Sequence, residues 1–458
     1  MSLRLRYRTI ITVIIAALFG AIYIPALGHG FVKDDFRWIA AADVHSPSDV
    51  ARIFSTDLGF YRPLVTLSFA FDRNVWGLDA RGYALTNVLL LAANATLLFL
   101  LVRILELPRD AALVAAAVWA FNFHGINMAL LWTSGRTALL LCLFAQASAL
   151  LFLRATRWSG LLAGVLGLLA MLCKEEAVML PPLFVALSLL VAREPRTLRA
   201  AILNTWPLWV AAAIYAVARA KSGAFGISDA PDYYRLTFDP EAVLKNVFEY
   251  LDRGATFAVV VSALFWLAAP FRAPLADDER RAIRIGIAWF IALYAVTVFV
   301  PVRSSLYAVA PSIGVALIAA TSAARTARMA PRRFAHIAFA MIVVVAILIP
   351  VYRSRNHGLV EPADLAARSL STIQAAARLD PSVREVILVD DPQASVTLDS
   401  AFGALFPDAL HLFVGPGVEG SIVGKTMPRG EGLVFELRDG YLARISGNPA
   451  ESSASHSG

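Results

Sequence analysis

Long apolar runs, each closed by a short polar turn, recur along most of this chain. The first extends from Thr9 to Leu27, and others follow at 83–104, 111–131, 137–153, 200–218, 247–269, 285–300, 306–324 and 334–352. Two shorter runs, 158–173 and 177–192, are joined by Lys174-Glu175-Glu176. A bilayer offers the backbone no hydrogen-bond partner, so an apolar run of about 20 residues reads as a helix that crosses it. The pattern predicts about eleven such helices, with Pro181-Pro182 kinking the second short one. Arg4, Arg6 and Arg8 give the first run the basic front of a signal peptide, and Ala26-Leu27-Gly28 would pass as a cleavage site. Its length favours a retained helix instead.

Two segments break this rhythm. Residues 28–83 form a long polar stretch in which Asp34, Asp35, Asp43, Asp49, Asp57, Arg62 and Asp72 alternate with aromatics. Loops of this length in a compact membrane protein are usually functional. Within it, 47–57 reads as a capped amphipathic helix lying in the interface. From 353 onward the pattern is that of a small soluble α/β domain: a helix at 364–379, a buried strand at 385–389, a second helix at 395–406, and a hairpin alternating around Asp439-Gly440. The expected division is a transmembrane domain at 1–352 with its first outer loop at 28–83, a soluble domain at 353–450, and a disordered tail at 451–458.

A mean hydropathy of +0.65, with 58% hydrophobic and 16% charged residues, excludes a soluble globular protein. The net charge of +7 would suggest nucleic acid in a soluble chain, but its placement says otherwise. Arg103, Arg109, Arg154, Arg157, Arg199, Arg280, Arg325 and Arg333 fall in turns on the side of the amino terminus, whereas the opposite short turns carry the isolated Arg136, Lys174 and Arg303. This is the positive-inside pattern of a cytoplasmic amino terminus. It puts the Asp34-Asp35 loop and the soluble domain outside, and alanine- and arginine-rich usage points to a bacterial inner membrane. Cys142 and Cys173 lie in or at the ends of apolar runs, giving neither a disulfide framework nor a metal spacing.

Few charges remain on the outer side: Asp34, Asp35, Arg62, Arg136, Lys174, Glu175, Glu176 and Arg303. Each sits at an outer helix end, so the set can converge on one cleft. The helix interiors hold essentially no ionisable residue, which argues against an ion-coupled transporter. Sugar transfer from a polyprenyl phosphate needs this inventory. A carboxylate takes the proton of the attacking hydroxyl, and cations such as Arg62, Arg136, Lys174 and Arg303 steady the departing phosphate. No cofactor is required, although two adjacent Asp residues without a clear third ligand could also hold a divalent metal. The same residues admit plainer readings: Asp34-Asp35 as a helix cap, Arg62 and Arg303 as anchors to lipid head groups, and 174–176 as an ordinary turn. Asn87, Asn94, Asn122 and Asn127 read as interhelical hydrogen-bonding groups. For the whole chain, the alternatives are a flippase for a lipid-linked glycan and a membrane-anchored assembly protein of the cell envelope.

Six short stretches stand in a telling order: Phe31-Val32-Lys33-Asp34-Asp35, Tyr61-Arg62-Pro63-Leu64, Gly82-Tyr83-Ala84-Leu85-Thr86-Asn87, His124-Gly125-Ile126-Asn127, Ser134-Gly135-Arg136 and Cys173-Lys174-Glu175-Glu176. Together they resemble the GT-C class of polyprenyl-phosphate-sugar-dependent membrane glycosyltransferases. They are most similar to the protein O-mannosyltransferase-like, TPR-containing transmembrane family and its bacterial relatives. The resemblance covers about residues 8–192; the later helices match by layout alone. It implies a GT-C-like fold, a polyprenyl-phosphate-linked sugar donor, and a protein, glycan or lipid acceptor. It further implies that Asp35 or Asp34 is the base, with phosphate binding near Arg62, Arg136 and Lys174. Two departures leave the acceptor open. His124-Gly125 and Met128-Ala129 stand where relatives often have His-Pro and an acidic residue, and a small outer domain replaces the TPR tail.

Overall fold

The structure is a computed structural model that describes residues 3–55, 59–191, 197–224, 231–270, 274–424 and 432–445. Asp57, the side chains of Arg4 and Arg6, and the expected tail at 451–458 lie outside the described residues. After the first helix, α1 (Leu3–Tyr23), the long polar segment is mostly helical: α2 (Asp34–Ala41), α3 (Pro47–Ser55) and α4 (Pro63–Trp76). The start of α4 has a local cause. Pro63 occupies the first turn, where its missing N–H costs nothing, and Val65, Phe69 and Ala70 then recur on one buried face.

The helices of the bundle follow as α5 (Ala80–Ile104), α6 (Arg109–Ala120), α7 (Ile126–Leu131), α8 (Arg136–Arg154), α9 (Ser159–Met171), α10 (Leu180–Val191), α11 (Leu198–Asn204), α12 (Trp206–Ser222), α13 (Pro240–Ala268), α14 (Asp277–Tyr294), α15 (Ser312–Met329), α16 (Pro331–Ile347) and α17 (Ile349–Leu379). Among the described residues, five helices are long and apolar enough to cross a membrane, or seven if the bent pairs α11–α12 (62°) and α16–α17 (48°) each count as one span. The chain is therefore a multi-pass helical membrane protein. The run at 111–131 is divided, because after α6 the chain turns at Asn122, whose Oδ1 accepts the His124 N–H at 3.2 Å. Pro181 and Pro182 do not kink α10; they lie in its first turn, where neither removes a helical hydrogen bond.

Close helix packing relies on small residues and buried amides. A Cβ at Gly286 would collide with the Gly314 carbonyl, and one at Gly314 with the Gly286 carbonyl, so α14 and α15 meet backbone to backbone. Asn94 donates to the Leu139 carbonyl at 2.9 Å and accepts from Gln146 at 2.8 Å, joining α5 to α8. Asn87 likewise reaches the Thr133 carbonyl at 3.3 Å, and Asn122 the Arg253 carbonyl at 3.2 Å. Asn127 differs from expectation: its Oδ1 accepts the neighbouring Met128 N–H at 2.8 Å. The basic turns gather at one end of the bundle, where Arg8 forms a two-point pair with Asp110, Arg328 pairs with Glu279 and Arg333 donates to the Ala268 carbonyl.

The boundary expected at 352 falls inside α17, which continues through Pro362 into the carboxyl-terminal region. There, β1 (Glu385–Val389), α18 (Leu398–Phe402), α19 (Phe406–Phe413), β2 (Glu419–Val423), β3 (Leu433–Arg438) and β4 (Tyr441–Ile445) make a four-stranded sheet in the order β2-β1-β3-β4. β1 is parallel to β2 and β3, and β3 pairs antiparallel with β4. Asp439 and Gly440, at φ 49° and 79°, supply the left-handed pair a two-residue hairpin needs. The expected second helix is split in two at Gly403, φ 53°. This region does not stand apart from the first loop: Phe31, Phe36 and Trp38 share one buried core with Phe402, Phe406 and Leu410.

Candidate functional site

The two adjacent carboxylates face different surroundings because α2 begins between them and the loop. Asp35 is 0% exposed. It accepts the Val32 N–H at 3.0 Å, the Ser134 N–H at 2.7 Å and the Ser134 hydroxyl at 2.5 Å. It thus braces the turn that precedes its helix and ties the first loop to the start of α8. Burial pushes its pKa up to about 7, against the opposing pull of those three hydrogen bonds. Asp34 is exposed and takes no hydrogen bond or ion pair within the described residues. It faces a cavity of about 250 Å³. Enclosure by the cavity walls raises the Asp34 pKa above its ordinary value, while Arg62, Arg37 and Lys33 draw it down.

Two expected cations line the same cavity. Arg62, the residue before Pro63, stacks on Phe60 at 4.2 Å. Its Nε and Nη2 donate to Glu175 at 3.0 and 2.6 Å, leaving Nη1 without a partner among the described residues. Lys174 follows α9, is 3% exposed, pairs with Glu176 at 2.7 Å and lies 4.6 Å over the Tyr307 ring. Burial would raise the Glu175 pKa, but Arg62 and Arg219 bring it below its ordinary value, so it stays ionised and holds the guanidinium in plane. Trp38, Phe60, Trp132, Tyr233, Tyr234 and Tyr307 complete the walls. Burial raises the Tyr234 and Tyr307 pKa values, so both phenols stay neutral.

The remaining expected ligands stand elsewhere. Arg136 does not reach the cavity: it is 0% exposed and pairs with the equally buried Asp72 at 2.5 Å. It also donates to the carbonyls of Ser68 and Tyr83 at 3.2 Å and stacks on Phe69 at 4.3 Å. A guanidinium at the start of a membrane helix is held there by a carboxylate from α4, so Arg136 is architectural. Arg303 also lies off the cavity lining, donating to Asn246 Oδ1 at 2.7 Å, with Glu249 3.7 Å away. Glu175 and Glu176 stand behind Arg62 and Lys174 rather than on the lining itself.

Residue-by-residue reading missed Arg37, Tyr307 and Asp72. Arg37 lies three residues after Asp34 on α2 and shares its face of the cavity, a relation visible once 34–41 is taken as a helix. Asp72 reads as a loop acid unless 63–76 is taken as a helix. Tyr307 carried no distinguishing local signal. Among the described residues, no group of three or more His, Cys, Asp or Glu comes together as a metal site.

No family model matches the chain. Over 179 residues it is 32% identical to Protein O-mannosyl-transferase Tmtc1 of Drosophila melanogaster, a match covering 36% of this chain and 21% of that protein. The chain thus spans about a fifth of the length of the curated relative it matches. Among solved structures it is similar to ArnT from Cupriavidus metallidurans bound to undecaprenyl phosphate, with a TM-score of 0.46 and 15% identity over 80% of this chain and 71% of that one. It is also similar to the Archaeoglobus fulgidus oligosaccharyltransferase tethered by a disulfide to an acceptor peptide containing the NVT sequon, with a TM-score of 0.47 and 12% identity over 83% and 61% of the two chains. In sequence, then, the chain is similar to a protein O-mannosyl-transferase, the kind of enzyme its motifs resemble.

Proposed function

We propose that this protein transfers a sugar from a polyprenyl-phosphate donor to an acceptor hydroxyl at the outer face of a cytoplasmic membrane. The observation that carries this reading is the pairing of one free, accessible carboxylate, Asp34, with two cations, Arg62 and Lys174, in one aromatic-walled cavity. In the reaction the acceptor oxygen attacks the anomeric carbon while Asp34 takes the hydroxyl proton. The bond from that carbon to the phosphate oxygen breaks, and the electron pair leaves with the polyprenyl phosphate. Arg62 and Lys174 meet the charge that develops on the phosphate. Glu175 and Glu176 hold those cations in place beforehand, and Asp35 fixes the helix that carries Asp34. Aromatic faces such as Tyr307 and Trp132 suit the apolar faces of a sugar ring.

The similarity to a protein O-mannosyl-transferase supports glycosyl transfer, and the basic turns gathered at the far end of the bundle support a cytoplasmic amino terminus. The acceptor is a protein, glycan or lipid hydroxyl. The test is incubation of membranes holding the full chain with a panel of radiolabelled polyprenyl-phosphate sugars. Transfer from one of them is expected, with Arg62→Ala and Lys174→Ala raising the KM for the donor. If no donor of the panel is consumed, and none protects the protein against thermal unfolding, the proposal fails.

A further inference from the structure

The carboxyl-terminal sheet domain reaches the cavity through α2. Gly30 lies so close to α17 that a Cβ there would meet Ala367 Cβ at 2.8 Å and the Ala363 carbonyl at 2.9 Å. The next residues make an unusual turn: Lys33, at φ 45°, adopts a backbone that L residues with side chains rarely take. That conformation persists only where the surroundings fix it. Here the Lys33 N–H donates to the Ala401 carbonyl at 3.0 Å, and Phe36 stacks on Phe402 with ring centroids 5.7 Å apart, both rings fully buried. One turn further along α2, Arg37 lines the cavity beside Asp34, and its Nε donates to Asp408 of α19 at 3.3 Å.

We propose that the sheet domain is part of the scaffold of the cavity: through Ala401 and Phe402 it holds the turn that presents Asp34, and through Asp408 it positions Arg37 on the wall. This rests on the reading of Asp34 as the base. Asp408 and Phe402 are positioning residues that touch no substrate; they act through Arg37 and the Lys33 turn. The charged groups around Asp34 define what a pH profile would read. Arg62 and Lys174 face it across the cavity with Tyr234, while Lys33, Asp35 and Arg37 share its element. Arg37 in turn faces Asp408. Arg37 lowers the Asp34 pKa and Asp408 draws part of that charge away, so removing the Asp408 carboxylate should lower it further.

The test uses the full-length protein in lipid nanodiscs. Phe402→Ala should speed amide hydrogen exchange at 31–38 and lower kcat roughly tenfold to a hundredfold, the range for small misplacement of a catalytic group, with donor KM unchanged. Ile387→Ala, also buried but on the other face of the sheet, should do neither. Asp408→Asn should move the acidic limb of the kcat profile to lower pH, and Asp408→Glu should restore it. The proposal is overturned if Phe402→Ala leaves exchange and kcat as in the wild type, if Ile387→Ala reproduces its effects, or if both Asp408 variants give the wild-type profile. Should exchange respond as expected while Asp34→Asn transfers sugar normally, the scaffold stands and the assignment of Asp34 as base falls.

Discussion

Replacing the two neighbouring carboxylates one at a time separates chemistry from architecture. Asp34→Asn removes the carboxylate that faces the cavity. Since that side chain takes no hydrogen bond within the described residues, the folded state should lose no more than about 0.5 kcal/mol, as at an ordinary surface position. The loss should appear in kcat instead. A positioned base contributes about 10²–10⁴-fold, which at about 1.4 kcal/mol per decade is roughly 3–5 kcal/mol of barrier. Asp35→Asn should invert this pattern. The carboxylate serves Ser134 through one oxygen and the Val32 N–H through the other. An amide has a single oxygen, so its NH₂ must confront one of those donors, and a buried unsatisfied donor costs about 1–3 kcal/mol. Initial rates with a labelled polyprenyl-phosphate sugar and thermal unfolding in the same detergent measure both quantities. Rates should be compared well below either midpoint, so that unfolding does not pass for lost chemistry. If Asp34→Asn works within threefold of the wild type, or if Asp35→Asn abolishes transfer without lowering the midpoint, the roles assigned to the two residues are reversed.

Other outcomes follow from the same geometry. Arg136→Met strands a buried Asp72 and should cost about 3–5 kcal/mol, whereas adding Asp72→Leu should recover most of it; the double variant should keep the wild-type donor KM, and a large rise would return Arg136 to the phosphate. Asp35 has a folded-state pKa near 7, above the ordinary carboxylate value of about 3.9. Its contribution to stability is therefore complete below about pH 4 and lost as pH rises through about 7. The unfolding midpoint of the wild type should accordingly fall between about pH 4 and 7 relative to that of Asp35→Asn, whose amide does not titrate, and parallel curves would contradict the shift. Glu175→Gln should raise the donor KM about three- to tenfold, because Arg62 loses a charged two-point holder worth about 1 kcal/mol of order. A fall in KM would mean that Glu175 acts on the phosphate by repulsion alone.

Much of this was legible in the sequence, and the part that was not has physical reasons. The class of the protein follows from long apolar runs, since a helix is the one solution that satisfies the backbone within a single segment. Hairpin β3–β4 was legible because Asp439-Gly440 encodes its turn directly. The break after Ala120 was not legible: apolarity marks which residues avoid water, but this break depends on an Asn122 side chain competing for the backbone. The roles of Asp34 and Asp35 could not be told apart either. Which of two adjacent acids turns inward depends on Ser134, 99 residues away. Arg136 misled for the same reason. Its sequence neighbourhood resembles that of the family's phosphate site, yet its partner Asp72 comes from a helix that the polar count of 28–83 concealed.

The Lys174-Glu175-Glu176 turn shows why charge counting along a chain misjudges a binding site. Summed by sequence, the turn is acidic and would repel a phosphate. In space, Lys174 lines the cavity while both acids stand behind its lining, Glu175 holding Arg62 and Glu176 holding Lys174. A long cationic side chain without such a holder would have to lose its rotamer freedom when the donor arrives, about 2 kcal/mol for Arg or Lys. One held by a carboxylate on its far side has lost that freedom already, and still presents its remaining N–H groups to the cavity. The acids therefore serve anion binding by orientation even as they oppose it by charge. Within a few ångströms the first effect is directional, whereas the second is spread over all the charges around the cavity, the cations Arg37, Arg62 and Lys174 on its lining among them.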